Sequence, residues 1–390
     1  MRAHIIFIIL FLLSDYCLAT ESIDSVDRSA EDFVSVSLLV GAPGGALYSQ
    51  AGHACLRLQC PTYRLDYCYS YESEDVNNRV LRFLQGDLKM GMTAVPFAKY
   101  LKQFRNEGRT IREYPLNLPP NVETRLWQIM DQRLIEGMDL PYDCLQRGCA
   151  QTAFQNISQA LDTVSVCYAQ WPERWNWTRR EFAEHNIKSP WTKFVLYSII
   201  GTEADRMVSD FDKIVIPEDL AWVWQHATIN GKPIITAHPI VHTAVAKSEQ
   251  HDIWDIVTPL RLAFVLLILA ISQLWLRSTV IDWLLLAIET LGGIFFTYML
   301  CISNITNLGF SWLIIPYNLL PFLFWRWRHL WALPWAVILL VWCAAMTVWP
   351  HQLTDWTHVV LTLALAINYT TLRKGRSKTN SLSNRAQQGV

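Results

Sequence analysis

The sequence lacks an excess of charge of either sign. Its 390 residues carry 33 Lys and Arg against 34 Asp and Glu, which gives a formal net charge of −1. Nucleic-acid binding depends on a basic surface that neutralises phosphates, and this composition does not provide one. We therefore expect no nucleic-acid partner.

A convincing metal-ligand pattern is also missing. His238 and His242 stand four residues apart, as zinc ligands on a helix do, but Pro239 argues against a helix at this place. No acidic third ligand is near them in the sequence. We expect neither a metal ion nor a diffusible cofactor.

Hydrophobic residues, by contrast, make up 52% of the chain and are unevenly distributed. The N-terminus has a short basic start and an apolar run from Ile5 to Leu13. Cys17 and Ala19 place small residues at the −3 and −1 positions of a cleavage site, which is typical of a secretory signal peptide. The pattern predicts a signal peptide over residues 1–19 and an exported domain over residues 20–255.

Five apolar runs follow this domain, each close to the roughly 20 residues that a membrane-spanning helix needs. Burial in a large soluble core is the alternative, but the links between the runs are very short. We predict a five-helix transmembrane domain over residues 256–373 and a disordered polar tail over residues 374–390. The runs cover about 257–276, 279–301, 309–325, 330–349 and 355–372.

Basic residues in the links predict the orientation of this domain. Arg277, Arg326 and Arg328 follow the first and third runs, and further basic residues follow the fifth. The alternate links, around 303–308 and 350–355, contain no Lys or Arg. Because basic links stay in the cytoplasm, the N-terminal domain is expected outside it and the C-terminus inside.

Six cysteines lie in the predicted exported domain: Cys55, Cys60, Cys68, Cys144, Cys149 and Cys167. An even number in an oxidising compartment is compatible with three disulfides. Cys60 and Cys68 could pair across a hairpin, and Cys144 and Cys149 could close a small loop. The spacings match no small disulfide scaffold, so free thiols remain an alternative.

The surroundings of Cys149 favour a reactive thiol. Gly148 precedes it, and residues 150–157 have the composition and apolar spacing of a helix. A cysteine in the first turn of a helix lies among unpaired backbone N–H groups at the positive end of the dipole. This position lowers the pKa of a thiol and makes it a better nucleophile.

A general base for such a thiol is available upstream in Gly52-His53. Residues 53–72 alternate apolar and polar side chains around a turn at 61–64, which predicts a β-hairpin. His53 would stand where its first strand begins. For a histidine taken alone, a structural or surface role is the more frequent one.

These residues resemble a known family, the Lnb-type bacterial lipoprotein N-acyltransferases. The resemblance extends over most of the chain, including the apolar C-terminal part. The motifs that carry it are Leu47-Tyr48-Ser49-x-x-Gly52-His53-x-x-Leu56-Arg57, Gly86-Asp87-Leu88, Glu107-Gly108-Arg109, Gly148-Cys149-Ala150-x-Thr152 and Gly201-Thr202-x-Ala204-Asp205-Arg206.

The resemblance implies an α+β fold, namely a circularly permuted papain-like (NlpC-like) extracytoplasmic domain followed by the five-helix transmembrane domain. It implies an acyltransferase of the bacterial inner membrane. Cys149 would take an acyl chain from a membrane phospholipid as a thioester, with His53 as base. The α-amine of a diacylated apolipoprotein would then accept the chain.

The chain departs from the family pattern at three places. Gly148 stands where family members usually have Asn, and Ala51 stands where they have an aromatic residue. Ser70-Tyr71-Glu72 replaces the usual Asn-Tyr-Gly, which makes Ser70 the candidate for the residue that orients His53.

Three further residues are candidates for substrate binding. Arg57 and Arg109 could hold the phospholipid phosphate through bidentate hydrogen bonds, although exposed arginines are more often solvated. Glu289 lies in the middle of the second apolar run, where an acid costs roughly 2.5–3.5 kcal/mol on insertion scales. It could line a lipid groove or make a structural hydrogen bond to a neighbouring helix.

Two other functions are compatible with the same residues. A membrane-tethered thiol hydrolase, either a phospholipase or a cell-wall peptidase, would transfer the acyl group to water. A disulfide-stapled binding module on a membrane anchor would have Cys149 bonded to Cys144 and no nucleophile.

Overall fold

The computed structural model describes residues 34–44, 49–74, 79–141, 148–168, 177–206, 214, 216–244, 256–304, 310–348 and 355–372. The predicted signal peptide (1–19) and cytoplasmic tail (374–390) lie outside these residues, and so does Cys144.

The N-terminal domain is a mixed α+β unit that contains two antiparallel sheets. Seven strands form the larger sheet in the order β10-β5-β1-β2-β3-β4-β6, and β7-β8-β9 form the smaller one. The strands are β1 Ser35–Gly41, β2 His53–Cys60, β3 Leu65–Ser73, β4 Lys89–Pro96, β5 Ile111–Pro115, β6 Leu140–Pro141, β7 Val166–Tyr168, β8 Ala227–Ile229, β9 Lys232–Pro233 and β10 Ile240–His242. The helices are α1 Val80–Gln85, α2 Phe97–Glu107, α3 Pro120–Glu136, α4 Cys149–Ala160, α5 Arg179–Asn186, α6 Pro190–Ile199 and α7 Pro217–Gln225.

The larger sheet is covered by side chains on both faces. Ala54, Leu56 and Leu58 of β2 point into the main core, together with residues of α3, α4 and α7. Cys55, on the opposite face of β2, packs against the aromatic side chains of α2. The period-two alternation along β2 therefore separates two cores, because successive side chains of a strand point to opposite faces.

The helical domain contains α8 Pro259–Leu276, α9 Thr279–Cys301, α10 Leu320–Leu323, α11 Arg328–Val348 and α12 Trp356–Leu372. Within the described residues, three helical stretches are long and apolar enough to cross a membrane, namely Pro259–Leu276, Thr279–Cys301 and Trp325–Val348. The 17-residue α12 is shorter. It packs against α8 and α11 and is buried along much of its length.

The third predicted span, 309–325, is wrong as a continuous helix. Its described part contains a 3₁₀ turn at Trp312–Ile314 and the four-residue α10, with non-helical backbone between them. Pro316 and Pro321 explain the interruption, because each proline lacks the N–H donor that a continuous helix would need at its position. The prediction of five helices is therefore not confirmed.

The described part of this region, residues 310–323 and here called the interrupted segment, packs closely against α9. A Cβ atom on Gly293 would lie only 2.5 Å from the Asn318 carbonyl carbon, and one on Gly292 would lie 2.9 Å from the Tyr317 ring. The two glycines thus allow irregular backbone to approach a helix. Irregular backbone at membrane depth is tolerated where protein covers it in this way.

The N-terminal domain is attached to one end of the helical domain. Its partners are the residues just before α8, the residues just after α9, Phe310, and the first turn of α12. Arg277 follows α8, Arg326 lies in the 3₁₀ turn before α11, and Arg328 begins α11, so all three lie at the opposite helix ends. The hydrogen bonds across the junction join Trp191 to Val257, Thr202 to Phe310, Leu84 to Ser303, Gln85 to Asn304 and Ser198 to His358.

Candidate active site

A tight turn places His53 at the first position of β2. The Gly52 N–H donates to the Ser49 carbonyl at 2.9 Å, and Gly52 has a φ of +86°. A side chain there would be strained by this left-handed backbone, and its Cβ would lie 2.9 Å from the Gly41 carbonyl oxygen. Glycine is therefore required before His53.

The nucleophile candidate Cys149 is the first residue of α4, as the sequence predicted. Ala150, Ala153, Phe154 and Ile157 bury one face of this helix beneath the larger sheet, which fixes its N-terminus. Gly148 caps the helix with φ −76° and ψ 161°, and a Cβ there would meet nothing within 4 Å. The glycine in place of the usual Asn therefore reflects no special backbone geometry.

The structure brings the sulfur of Cys149 to the beginning of β2. The Ala54 N–H donates to Cys149 Sγ at 3.5 Å, which joins residues 95 positions apart. His53 and Cys149 interact through their side chains, and both are only partly covered. A thiol and an imidazole thus meet where a substrate can reach them.

This arrangement favours a thiolate beside an imidazolium. Burial raises the pKa of Cys149, but the His53 charge and hydrogen bonds from His53 and the Ala54 and Ala150 amides outweigh it, so the pKa is lowered. Burial lowers the pKa of His53, and the Cys149 thiolate more than reverses this and raises that pKa to about 9. Cys149 is consequently primed for nucleophilic attack.

Ser70 of β3 holds the other side of the imidazole. His53 Nε2 lies 2.6 Å from Ser70 Oγ, and the charged ring donates this hydrogen bond. Ser70 is buried and pairs with Cys55 across the β2–β3 ladder, so its position is set by the sheet. With Nε2 directed at Ser70, Nδ1 is the nitrogen left for Cys149.

The structure also identifies contributors that the sequence did not reveal. The Ala54 amide is a main-chain donor, and no side-chain pattern marks such a group. Glu72, two residues after Ser70 on β3, adds negative charge that raises the pKa of His53. Only the strand pairing that brings β3 beside β2 shows that Glu72 acts on His53.

The described cysteines are free thiols rather than disulfide halves. Cys55, Cys60, Cys68, Cys149 and Cys167 are all unpaired. A Cys60–Cys68 bridge across the hairpin is prevented by register: Cys68 opposes Arg57, whereas Cys60 opposes Leu65. Cys68 shares a face of the sheet with its partner Arg57. Cys60 is three residues from Arg57 on the same strand, so Cys60 and Cys68 point to opposite faces.

Both arginine candidates make hydrogen bonds within the protein. Arg57 makes bidentate hydrogen bonds to Asp66 at 2.8 Å, bonds Glu113 at 2.9 Å and lies over the Phe97 ring. Glu113 in turn bonds His242 Nε2 at 2.8 Å. Arg57 therefore stabilises the larger sheet, which argues against the predicted phosphate contact.

Arg109 is buried and braces the loop that leads to His53. Its Nε donates to the Ala42 carbonyl at 2.8 Å, and Nη1 donates to Glu107 at 2.8 Å. The guanidinium stacks on Phe104. A positioning role therefore fits Arg109 better than the predicted phosphate contact.

Glu289 is fully buried within the helical domain, away from the thiol. It accepts hydrogen bonds from Trp335 Nε1 at 3.1 Å and from the Tyr369 hydroxyl. These residues belong to α11 and α12, so Glu289 of α9 ties three helices together. The structural alternative for Glu289 agrees with these contacts.

The fold and the site define a thiol–histidine domain joined to an apolar helical domain. Residues 26–177 match the family model described as Lnb N-terminal periplasmic domain. This match contains His53, Ser70 and Cys149 and ends before the helical domain. Comparisons with curated proteins and with solved structures find no match.

The family resemblance is therefore confirmed over residues 26–177, which are similar to the Lnb N-terminal periplasmic domain. The match indicates a periplasmic N-terminal domain and a connection with lipoprotein maturation. Three helices among the described residues are long and apolar enough to cross a membrane, which supports a membrane protein.

Alkylation kinetics test the thiolate. Because His53 lowers the pKa of Cys149, iodoacetamide should modify Cys149 near pH 7 faster than an ordinary thiol, whose pKa is about 8.5. In His53→Ala the attraction is lost, the pKa of the partly covered thiol rises, and the rate near pH 7 should fall about tenfold for each pKa unit gained. The rate is measured by mass spectrometry of the Cys149 peptide.

The exposed thiol of Cys167 is the internal control, since its alkylation should not depend on His53. An identical pH profile for Cys149 with and without His53 would show that the two groups are not coupled.

Proposed function

We propose that this protein is a lipoprotein N-acyltransferase. It moves an acyl chain from a membrane phospholipid to the α-amine of the diacylglyceryl-cysteine of an apolipoprotein. The observation that carries the proposal is the contact of Cys149 with His53 and the Ala54 amide, within a domain of the Lnb family.

In the first half-reaction the Cys149 thiolate attacks the carbonyl carbon of a phospholipid ester. Backbone N–H groups at the start of α4 are suited to stabilising the oxyanion that forms. When the C–O bond breaks, the imidazolium of His53 donates its proton to the departing lysophospholipid oxygen. The acyl chain is left on Cys149 as a thioester.

The second half-reaction returns the enzyme to its starting state. The neutral α-amine of the acceptor attacks the thioester carbonyl, and His53, now neutral, takes the proton that the amine loses. The C–S bond breaks, an amide is formed and the Cys149 thiolate leaves. Since the acyl group rests on the enzyme between the two substrates, ping-pong kinetics are expected. Neither half-reaction needs a metal ion or a diffusible cofactor.

Attachment to a membrane domain supports lipid substrates. Both the donor and the acceptor are held in a bilayer. The catalytic domain is fastened to one end of the helices by hydrogen bonds that Trp191 and Thr202 donate and that the Gln85 carbonyl accepts. A thiol fixed in this way stays close to the membrane surface, where the phospholipid esters and the lipoprotein amines are found. We place the protein in the bacterial inner membrane with its C-terminus in the cytoplasm.

Chain order supports the permuted papain-like assignment. The histidine lies on a strand that precedes the cysteine-bearing helix, and the helix packs against that strand. We propose that the domain is a papain-like fold in this permuted order. Ser70 then takes the place of the residue that orients the imidazole.

A thiol hydrolase is the main competing activity, because the same residues would act if water replaced the amine. The binding-module alternative is weakened by the free thiol of Cys149, since that reading required its sulfur to be bonded to Cys144. An assay with both lipid substrates separates these functions.

The assay uses the full-length protein in phospholipid vesicles with a diacylated lipopeptide that has a free α-amine. We expect the lipopeptide to gain the mass of one acyl chain, and Cys149→Ala and His53→Ala to abolish the gain. Cys167→Ala and Cys144→Ala are the controls and should retain substantial activity. Free fatty acid without acylated peptide would instead identify a hydrolase and refute transfer.

Ser70 is tested by its effect on turnover. A hydrogen bond to a charged group contributes about 1.5–3 kcal/mol, so Ser70→Ala should lower kcat roughly 10–100-fold. The KM for phospholipid should change little, because Ser70 acts through His53. Ser73→Ala, on the same strand, is the matched control. If kcat in Ser70→Ala equals that of the control, Ser70 does not position the imidazole.

A further inference from the structure

Exposed apolar side chains gather at one corner of the larger sheet. Leu81 of α1 is 75% exposed and Ile135 near the end of α3 is 79% exposed. Val80 and Leu140 are also exposed. These four residues, here called the apolar corner, lie on three different elements. Single exposed apolar residues are ordinary, but a group of them indicates an interaction surface.

Strand pairing brings these elements together. Leu140 of β6 pairs with Met90 at the start of β4, at the edge of the sheet. Helix α1 lies in the connection between β3 and β4. The two ends of this connection are close together, because the Glu74 N–H donates to the Lys89 carbonyl at 2.9 Å. The end of α3 is held at the same strand, because a Cβ on Gly91 would lie 2.1 Å from the Gly137 carbonyl oxygen.

The apolar corner is continuous with the attachment to the helical domain. The Ser303 hydroxyl and the Asn304 N–H, just beyond the end of α9, donate to the Leu84 and Gln85 carbonyls at 2.6 and 2.8 Å. Phe83 also packs in the cluster that includes residues of α9. The residues of α1 that are not buried against α9 therefore lie beside the end of an apolar helix, where a bilayer surface is expected.

Charge around α1 fits the same surface. Arg79 and Arg82 flank Leu81, and their side chains are 46% and 42% exposed. Both pair with the carboxylate of Glu74, so two guanidinium groups lie beside the exposed leucine. Basic residues next to exposed apolar ones are typical of segments that lie in a membrane interface and meet lipid phosphates.

We propose that the apolar corner rests in the headgroup region of the adjacent leaflet, with Leu81 and Ile135 reaching the acyl-chain boundary. The periplasmic domain would then have a direct lipid contact in addition to its contacts with the helices. This inference does not depend on acyl transfer, since it rests only on exposure, charge and attachment.

The lipid contact would limit how far the thiol can lie from the bilayer. Pro141, the residue after Leu140, is eight positions before Cys149. Eight extended residues reach at most about 29 Å. A corner held in the headgroups therefore keeps the candidate active site near the membrane surface.

Photo-crosslinking in the full-length protein tests the contact. The photoreactive residue p-benzoylphenylalanine replaces Leu81, Ile135 or, as a control, Val241. Val241 is 52% exposed but lies on β10, at the opposite edge of the sheet. In vesicles of phosphatidylethanolamine and phosphatidylglycerol, mass spectrometry should detect several-fold more lipid adduct at positions 81 and 135 than at 241.

Cross-linking is repeated in a Cys149→Ala background, so that lipid contact is scored even if the protein transfers no acyl chain. Variants are compared only if their elution in size-exclusion chromatography matches the parent protein. Lipid adducts no more abundant at 81 and 135 than at 241 would overturn the proposal. Cross-links from 81 and 135 to a second copy of the chain, in place of lipid, would overturn it as well.

Discussion

The contact between the start of β2 and the start of α4 is the interaction on which the site depends. Burial of the apolar face of α4 beneath the sheet fixes the helix terminus, and the Ala54 amide donates to Cys149 Sγ at 3.5 Å. In this partly covered position the charges of His53 and Cys149 stabilise each other more strongly than they would in water. Loss of helix packing would therefore remove the reactive thiol as surely as replacing the cysteine.

A second constraint joins this site to the membrane. The periplasmic domain is hydrogen bonded at several places around one end of the helical domain, and Ser198 reaches His358 in the first turn of α12. The interrupted segment also contributes, since Tyr317 lies 3.4 Å from His358 through its hydroxyl. A domain held at several points has little freedom to rotate, so the height and orientation of the thiol follow from the helices.

The sequence pattern of short segments predicted many of these strands and helices. It did not predict features that depend on contacts between distant residues. The alternation over 53–72 predicted the hairpin now seen as β2 and β3, and the composition after Gly148 predicted α4. Sequence spacing did not show that Arg57 would bond Glu113. Arg57 lies on β2 and Glu113 on β5, and β1 lies between these two strands in the sheet. Hydrophobicity likewise placed a span at 309–325, although Pro316 and Pro321 interrupt it.

Direct detection of an acylated thiol tests the central claim. The full-length protein is incubated with phospholipid in the absence of a lipopeptide, and the peptide that contains Cys149 is weighed before and after treatment with hydroxylamine. Our account predicts one acyl chain on Cys149, removed by hydroxylamine and absent in His53→Ala. An unmodified Cys149 in a preparation that acylates lipopeptides, or an acyl chain on a different residue, would contradict it.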